Sequence, residues 1–317
     1  MKDHKIVAIV GATGAQGGGL ARAILADPES GFAVRALTRR PESGPACALA
    51  ALGAEIVAAD LDRAETLRPA FDGAHAAFCV TNFWEHHSPE RELAQAASMA
   101  QATKDAGVAH VIWSTLEDAR LSVPLESGQM PTLMGHYKVP HFDAKGESNA
   151  AFTTRNVPVT FLLTSYYWDN FINFPGMGLT RWADGVLTLR LPMGDKKLPG
   201  IAAEDIGRCA YGILRAGDRY IGKTVGIAGE HLTGAELAAG LSKAIGQEVR
   251  YTDVPPEVYR TFDFPGAPDL SNMFQFKRDF QDVFCEARSV ELSRQLNPRL
   301  QTFDRWAAEN KSRISLE

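Results

Sequence analysis

The first half of the chain alternates short apolar runs with longer stretches in which apolar residues recur at helical spacing. Ile6-Val7-Ala8-Ile9-Val10 is aliphatic, too short for a helix and stopped by Gly11, the pattern of a strand buried on both faces of a parallel sheet. Leu20, Ala21, Ala23, Ile24 and Leu25 then return at helical period. The same change of period recurs down the chain. Further strands are predicted at Phe32 to Leu37, Gly53 to Ala59, Ala74 to Val80, His110 to Thr115 and Val157 to Leu163. Between them, helices are predicted from Ala46 to Leu52, from Asp62 as a cap through Phe71, from Pro89 to Ala106, and in a crossover entered through His136 to Glu147. Strands alternating with helices predict an α/β fold built on a doubly wound parallel sheet. Past Asn170 the alternation weakens and Pro, Gly and irregularly placed aromatics increase. The chain therefore divides into residues 1–170 and a smaller mixed α/β C-terminal lobe, 171–317, packed on the same sheet and closing over its ligand. Within that lobe Ala203-Glu204-Asp205 opens one helix, and Thr233-Gly234-Ala235-Glu236 opens another with capping-box spacing. The aromatics between Pro255 and Phe284 are read as lobe core in preference to a substrate wall.

Five glycines fall in nine residues directly after the first strand, and three of them, Gly11, Gly14 and Gly17, are spaced G-x-x-G-x-x-G. Strand, glycine turn and helix form the phosphate site of a Rossmann-type fold: glycine allows the tight turn, close approach of backbone to pyrophosphate, and close packing of helix on sheet. The loop Gly11-Ala12-Thr13-Gly14-Ala15-Gln16-Gly17 would present unpaired N–H groups to phosphate at the helix start. At the tip of the second strand stand Arg39 and Arg40 with no carboxylate before Pro41, which suits the 2′-phosphate of NADP rather than the free ribose of NAD. Asp60 and Leu61, at the third strand tip, are placed to meet adenine. Thr81, Asn82 and Phe83 follow the fourth strand, where the switch-point rule puts the nicotinamide half. Phe83 and Trp84 read equally well as ordinary packing. Leu121 to Tyr137, without clear period, is read as a loop over the site.

The remaining composition narrows the function classes. The 317 residues carry a net charge of −5 with a pI near 5.9, which argues against a broad nucleic-acid surface. No apolar run reaches membrane-spanning length and no signal-peptide pattern precedes the first strand, so the expected location is the cytoplasm. The four cysteines, at 47, 79, 209 and 285, show no metal-ligand or disulfide spacing, and Cys79 reads as a small buried residue.

Several stretches together resemble the NmrA-like family of atypical short-chain dehydrogenases, and most of all its animal-type NADPH-sensor branch. They are Gly11 to Gly17, Thr38-Arg39, Val80-Thr81-Asn82-Phe83-Trp84, His141-Phe142-Asp143-Ala144-Lys145-Gly146-Glu147, Phe264-Pro265-Gly266-Ala267-Pro268-Asp269-Leu270 with Asn272-Met273-Phe274, and Leu296-Asn297-Pro298. The resemblance implies NADP (NADPH/NADP+) as cofactor, held by the glycine loop, Arg39, the Thr81 to Phe83 loop, Lys145 and the segment Thr164-Ser165-Tyr166-Tyr167. It further implies a redox sensor that regulates a protein partner according to cofactor state. Ala94 stands where that branch tends to carry a second lysine.

Short-chain dehydrogenases exchange a proton through Tyr-x-x-x-Lys, and no such spacing occurs in the sequence. His141 stands four residues before Lys145 instead, and Ser114 lies where those enzymes keep a serine. His141 and Lys145 are thus the candidate catalytic residues. His141 reads equally well as a helix-face residue without partners, and Lys145 as a ribose contact. Two functions follow: an NADP(H)-responsive sensor, weighted first, and an NADPH-dependent reductase of a quinone, aldehyde or similar apolar carbonyl. The latter's pocket would be lined by Phe83, Trp84, Tyr166, Tyr167 and Trp168.

Overall fold

The computed structural model describes residues 4–182 and 184–316, and the predicted alternation closes there into one seven-stranded parallel sheet. In chain order the first half runs β1 (Lys5–Val10), α1 (Ala15–Leu25), β2 (Phe32–Thr38), α2 (Gly44–Ala51), β3 (Glu55–Ala58), α3 (Leu67–Phe71), β4 (Ala76–Cys79), α4 (Pro89–Asp105), β5 (His110–Thr115), α5 (Pro140–Thr153) and β6 (Val159–Leu163). The second half adds β7 (Tyr166–Tyr167), α6 (Asn170–Asn173), β8 (Thr180–Arg181), β9 (Leu187–Leu191), β10 (Lys197–Ile201), α7 (Ala203–Arg215), β11 (Thr224–Gly226), β12 (Glu230–Thr233), α8 (Gly234–Ile245), β13 (Val249–Asp253), α9 (Pro256–Tyr259) and α10 (Ala267–Asp279).

The large sheet has the order β11-β6-β5-β4-β1-β2-β3, all pairs parallel. Every residue of β4 and β5 is buried, which explains why their sequences lack the apolar–polar alternation of a one-faced strand. Strand order reverses between β1 and β4. Loops leaving the carboxyl ends of these two strands therefore part, and a crevice opens between them.

Two small sheets, β12-β10-β7 and β13-β9-β8, pack around a second apolar core, to which Val123, Met130, Val139 and Phe142 from the first part of the chain also belong. Tyr259, Phe274, Phe276 and Phe284 are buried in that core, with Phe262, Phe264 and Phe280 packed against it. The lobe does not take all of the chain beyond residue 170. β11 pairs with β6 in the large sheet, and α7 lies on α1. A Cβ on Gly207 would stand 2.1 Å from Leu20 N, and one on Gly19 would stand 2.7 Å from Glu204 O, so glycines let the two helices touch through their backbones. Composition is a local signal and misses this return. The Leu121 to Tyr137 stretch is also placed differently from expectation. It packs on α10, where Asn272 Nδ2 donates to Pro131 O at 3.0 Å and Gln275 Nε2 donates to Gln129 O at 2.7 Å, and it does not line the crevice. The capping box at Thr233 and Glu236 is present.

Candidate functional site

The crevice is a cleft of about 730 Å³ running across the carboxyl ends of β1, β2, β3, β4 and β6. Its first part is built from backbone. Gly11 sits at φ +66°, a left-handed conformation that favours glycine, and Gly14 N donates to Gly11 O at 2.9 Å to close the turn. Gly14 caps α1 without a side chain, and the N–H groups of Ala15, Gln16 and Gly17 have no intrahelical acceptor. A Cβ on Gly17 would stand 2.6 Å from Gly11 O, so this close packing excludes any side chain there. The result is a cradle for an anion. Gly11, Thr13, Gly14, Ala15, Gln16 and Gly17 line it, whereas Ala12, expected among them, is wholly buried in the core beneath because its methyl points into the sheet. Ser114 is buried and does not line the cleft. Its hydroxyl donates to Gln16 Oε1 at 2.8 Å, and Gln16 Nε2 donates to the Tyr167 hydroxyl at 2.5 Å, so both side chains position the turn.

Arg39, Arg40, Asp60 and Leu61 line the next part. Arg39 is already engaged: its guanidinium donates to both carboxylate oxygens of Glu85, the second at 2.9 Å. Asp62 caps no helix, contrary to expectation. It accepts from Arg91 and from Gln95 Nε2, and these contacts, Arg91 foremost, hold its carboxyl down at about 2.

Thr81, Asn82 and Phe83 border the cleft after β4, and Lys145 reaches them from α5. Lys145 Nζ donates to Thr81 Oγ1 at 2.6 Å and to Thr81 O at 3.2 Å, and lies 2.7 Å from Glu92 Oε1. Glu92 is wholly buried, and its other oxygen, Oε2, has no hydrogen-bond partner among the described residues; His86 Nε2, equally unpartnered, lies 3.6 Å away. Burial lowers the pKa of that histidine. Sequence reasoning missed Glu92, because an acid in the first turn of a helix reads as an ordinary partner of the helix dipole. Ala94, two residues on, is exposed and away from the cleft.

The far end is aromatic. Thr164, Ser165, Tyr166, Tyr167, Phe83, Trp84, Phe142 and Phe174 line it, but Trp168, also expected there, is buried among Phe303 and Trp306. His141 is no solvent-facing residue. It is 5% exposed, its ring lies 4.7 Å from that of Trp84, and its Nδ1 is 2.6 Å from Oδ1 of Asp269, while Oδ2 of the same carboxylate accepts from His141 N at 3.2 Å. The Nδ1 contact leaves Nε2 for the cleft that His141 lines. Asp269 belongs to the first turn of α10 and lies in a stretch that carries the family resemblance, but nothing in the sequence marks it as the partner of His141. Further along α10, Leu270, Met273 and Lys277 also face the cleft.

An anion cradle at the switch point of a doubly wound sheet, continuous with an aromatic pocket, defines a Rossmann-type dinucleotide-binding protein. The chain belongs to the NmrA-like family, which it matches over residues 3–307. It is 30% identical over 292 residues to FrzB of Cladobotryum sp., an NmrA-like family domain-containing oxidoreductase, covering 86% of this chain and 83% of that one. It is 32% identical over 282 residues to hkm9 of Aspergillus hancockii, described likewise, covering 84% and 80%. Among solved structures it is similar to NmrA, a negative transcriptional regulator, at 25% identity and TM-score 0.79, covering 96% of this chain and 95% of that one. NmrA has been crystallised with NADP and with NAD.

Proposed function

We propose that the protein is an NADPH-dependent reductase of an apolar carbonyl compound. The observation that carries this reading is the buried His141–Asp269 pair at the aromatic end of the cleft. An unpartnered histidine would have left the sensor first, but a histidine fixed through Nδ1 by a carboxylate is the arrangement of a proton donor. The names of the oxidoreductase relatives support the same direction. The glycine cradle fits a pyrophosphate, and the NADP and NAD complexes of NmrA support a nicotinamide dinucleotide there. NADP is favoured over NAD because Arg39 and Arg40 stand at the ribose position without a carboxylate beside them on β2.

When bound, the dinucleotide supplies the hydride that reduces the carbonyl carbon. His141 delivers a proton from Nε2 to the carbonyl oxygen and recovers one from water as product leaves. Asp269 orients the ring and offsets the charge of its protonated form. Lys145, steadied by Thr81 and Glu92, sets a positive charge beside the ribose. Phe83, Trp84 and Phe142 keep water from the reacting centre.

Anaerobic NADPH oxidation against a panel of aromatic aldehydes and quinones tests the reading. Saturable turnover on the order of 1 s⁻¹ or faster is the expected result. Tight NADPH binding without turnover of any acceptor would contradict it and favour the second reading, a sensor whose contact with a protein partner follows cofactor state. One observation favours that sensor: the Arg39–Glu85 pair ties the ribose position to the Phe83–Trp84 loop, so a 2′-phosphate competing for Arg39 would release Glu85.

A further inference from the structure

Among the described residues, the buried Lys277 ammonium has no oxygen partner. It is 2% exposed, and its Nζ lies 5.4–5.8 Å from the ring centroids of Phe142, Tyr166, Phe274 and Phe284. Its one hydrogen bond is to the Met273 thioether sulfur at 3.3 Å, a weak acceptor for a group with three donors. The charged groups nearest to it are committed to each other, since Arg288 Nη1 and Nη2 donate to the two oxygens of Glu117 at 2.5 and 2.9 Å. The Tyr166 hydroxyl is directed to Met177 Sδ at 3.7 Å. Burial, reinforced by the Arg288 charge, pushes the Lys277 pKa down to about 7. A buried polar group left short of partners costs free energy, yet this one lines the cleft, where a ligand can supply the missing acceptor.

Its position relative to His141 is set by one helix face. Asp269, Met273 and Lys277 follow at intervals of four along α10, so the residue that holds His141 and the unpaired lysine are two turns apart, about 12 Å along the axis. The Phe142 ring neighbours both, 4.8 Å from the His141 ring and 5.4 Å from Lys277 Nζ.

We propose that Lys277 anchors a second oxygen of the substrate, so that the preferred substrates are flat aromatic aldehydes or ketones carrying a carboxylate or ionised hydroxyl across the ring from the reacting carbonyl. The inference rests on the reductase reading for the reaction and replaces its wholly apolar substrate by one with an apolar ring and a single anionic group, but the anchor itself is a binding contact. Lys145, the other lysine that lines the cleft, has its three donors taken up by Thr81 and Glu92, and Arg288, outside the lining, is held by Glu117.

The test compares 4-carboxybenzaldehyde with 4-methylbenzaldehyde, and the corresponding 6-substituted 2-naphthaldehydes, in wild type and Lys277→Met, a variant that keeps the aromatic cage filled. The wild type is expected to prefer the carboxylate-bearing member of at least one pair by about tenfold or more in kcat/KM, as a charge-assisted hydrogen bond implies. In Lys277→Met the ratio should fall to about one through a rise in KM with kcat largely kept, as loss of uniform binding requires. No preference in the wild type, or the same preference in the variant, would overturn the anchor. Calorimetric titration of the same aldehydes in the presence of NADP+ reads the ratio without turnover. A Lys277-dependent preference there without any turnover would leave the anchor standing and reject the reductase, whereas turnover with an unchanged ratio would do the reverse.

Discussion

At the phosphate end the cleft is made of backbone from one continuous stretch, Gly11 to Gly17, while at the aromatic end it is made of side chains that meet across 128 residues of sequence, His141 and Asp269. The first end can only cradle: its N–H groups are fixed donors with no proton to exchange. The second end holds side chains of a type that can carry a proton, His141 and Lys277, buried among aromatic rings. On the reductase reading, binding and chemistry are separated along one cleft, and substitutions at either end should separate the two.

The largest expected effect is at the cradle. Gly17→Val would drive a side chain into the carbonyl of Gly11 and should abolish dinucleotide binding, measured by titration with circular dichroism recorded alongside. His141→Gln, at the other end, should leave cofactor affinity within about threefold of wild type, under 1 kcal/mol. If it weakened binding as Gly17→Val does, the separation would fail.

Lys145→Ala follows in size. It strips the cation from a wholly buried Glu92 and should destabilise the fold by about 3–5 kcal/mol in urea unfolding, with much of the loss recovered by adding Glu92→Gln. A single variant as stable as wild type would show that the pair contributes nothing to folding. Arg39→Ala should cost less, about 1 kcal/mol of NADP affinity with NAD affinity unchanged, because the guanidinium is partly exposed and shared with Glu85. Equal affinity of the wild type for both cofactors would refute the choice of NADP.

The last effect is a slope in pH, small over any one pH unit. Lys277 has a folded pKa of about 7 against 10.5 for the free side chain, so between these values the unfolded chain binds more protons. Stability should therefore rise with pH across that window, by at most about 1.4 kcal/mol per pH unit from this group. Lys277→Met should remove that contribution, leaving the facing Arg288–Glu117 pair in place. An unchanged slope would mean that the lysine is not held as depressed as its surroundings imply.

What the sequence reveals follows the same division. Gly11, Gly14 and Gly17 are legible because glycine answers a local demand of the backbone, and the strand before and helix after them lie in the same few residues. Gly19 is misread by that logic, since its demand comes from α7, nearly two hundred residues away. His141 and Lys145 are legible as residue types that can move protons. Their partners are not, because Asp269 and Glu92 look like any acid at a helix start, and only the fold turns them inward. Lys277 carries no signal at all: in an amphipathic stretch a lysine reads as a solvated face, and its burial depends on rings drawn from four different segments.

The most direct measurement is kcat for His141→Gln at saturating NADPH and a saturating aromatic aldehyde. The glutamine amide can still donate to Asp269 but cannot deliver a proton. A loss of about 10²–10⁴ in kcat, with cofactor affinity kept, is the predicted result. A kcat within about twofold of wild type, well below what general acid catalysis contributes, would contradict the assignment of His141 as proton donor.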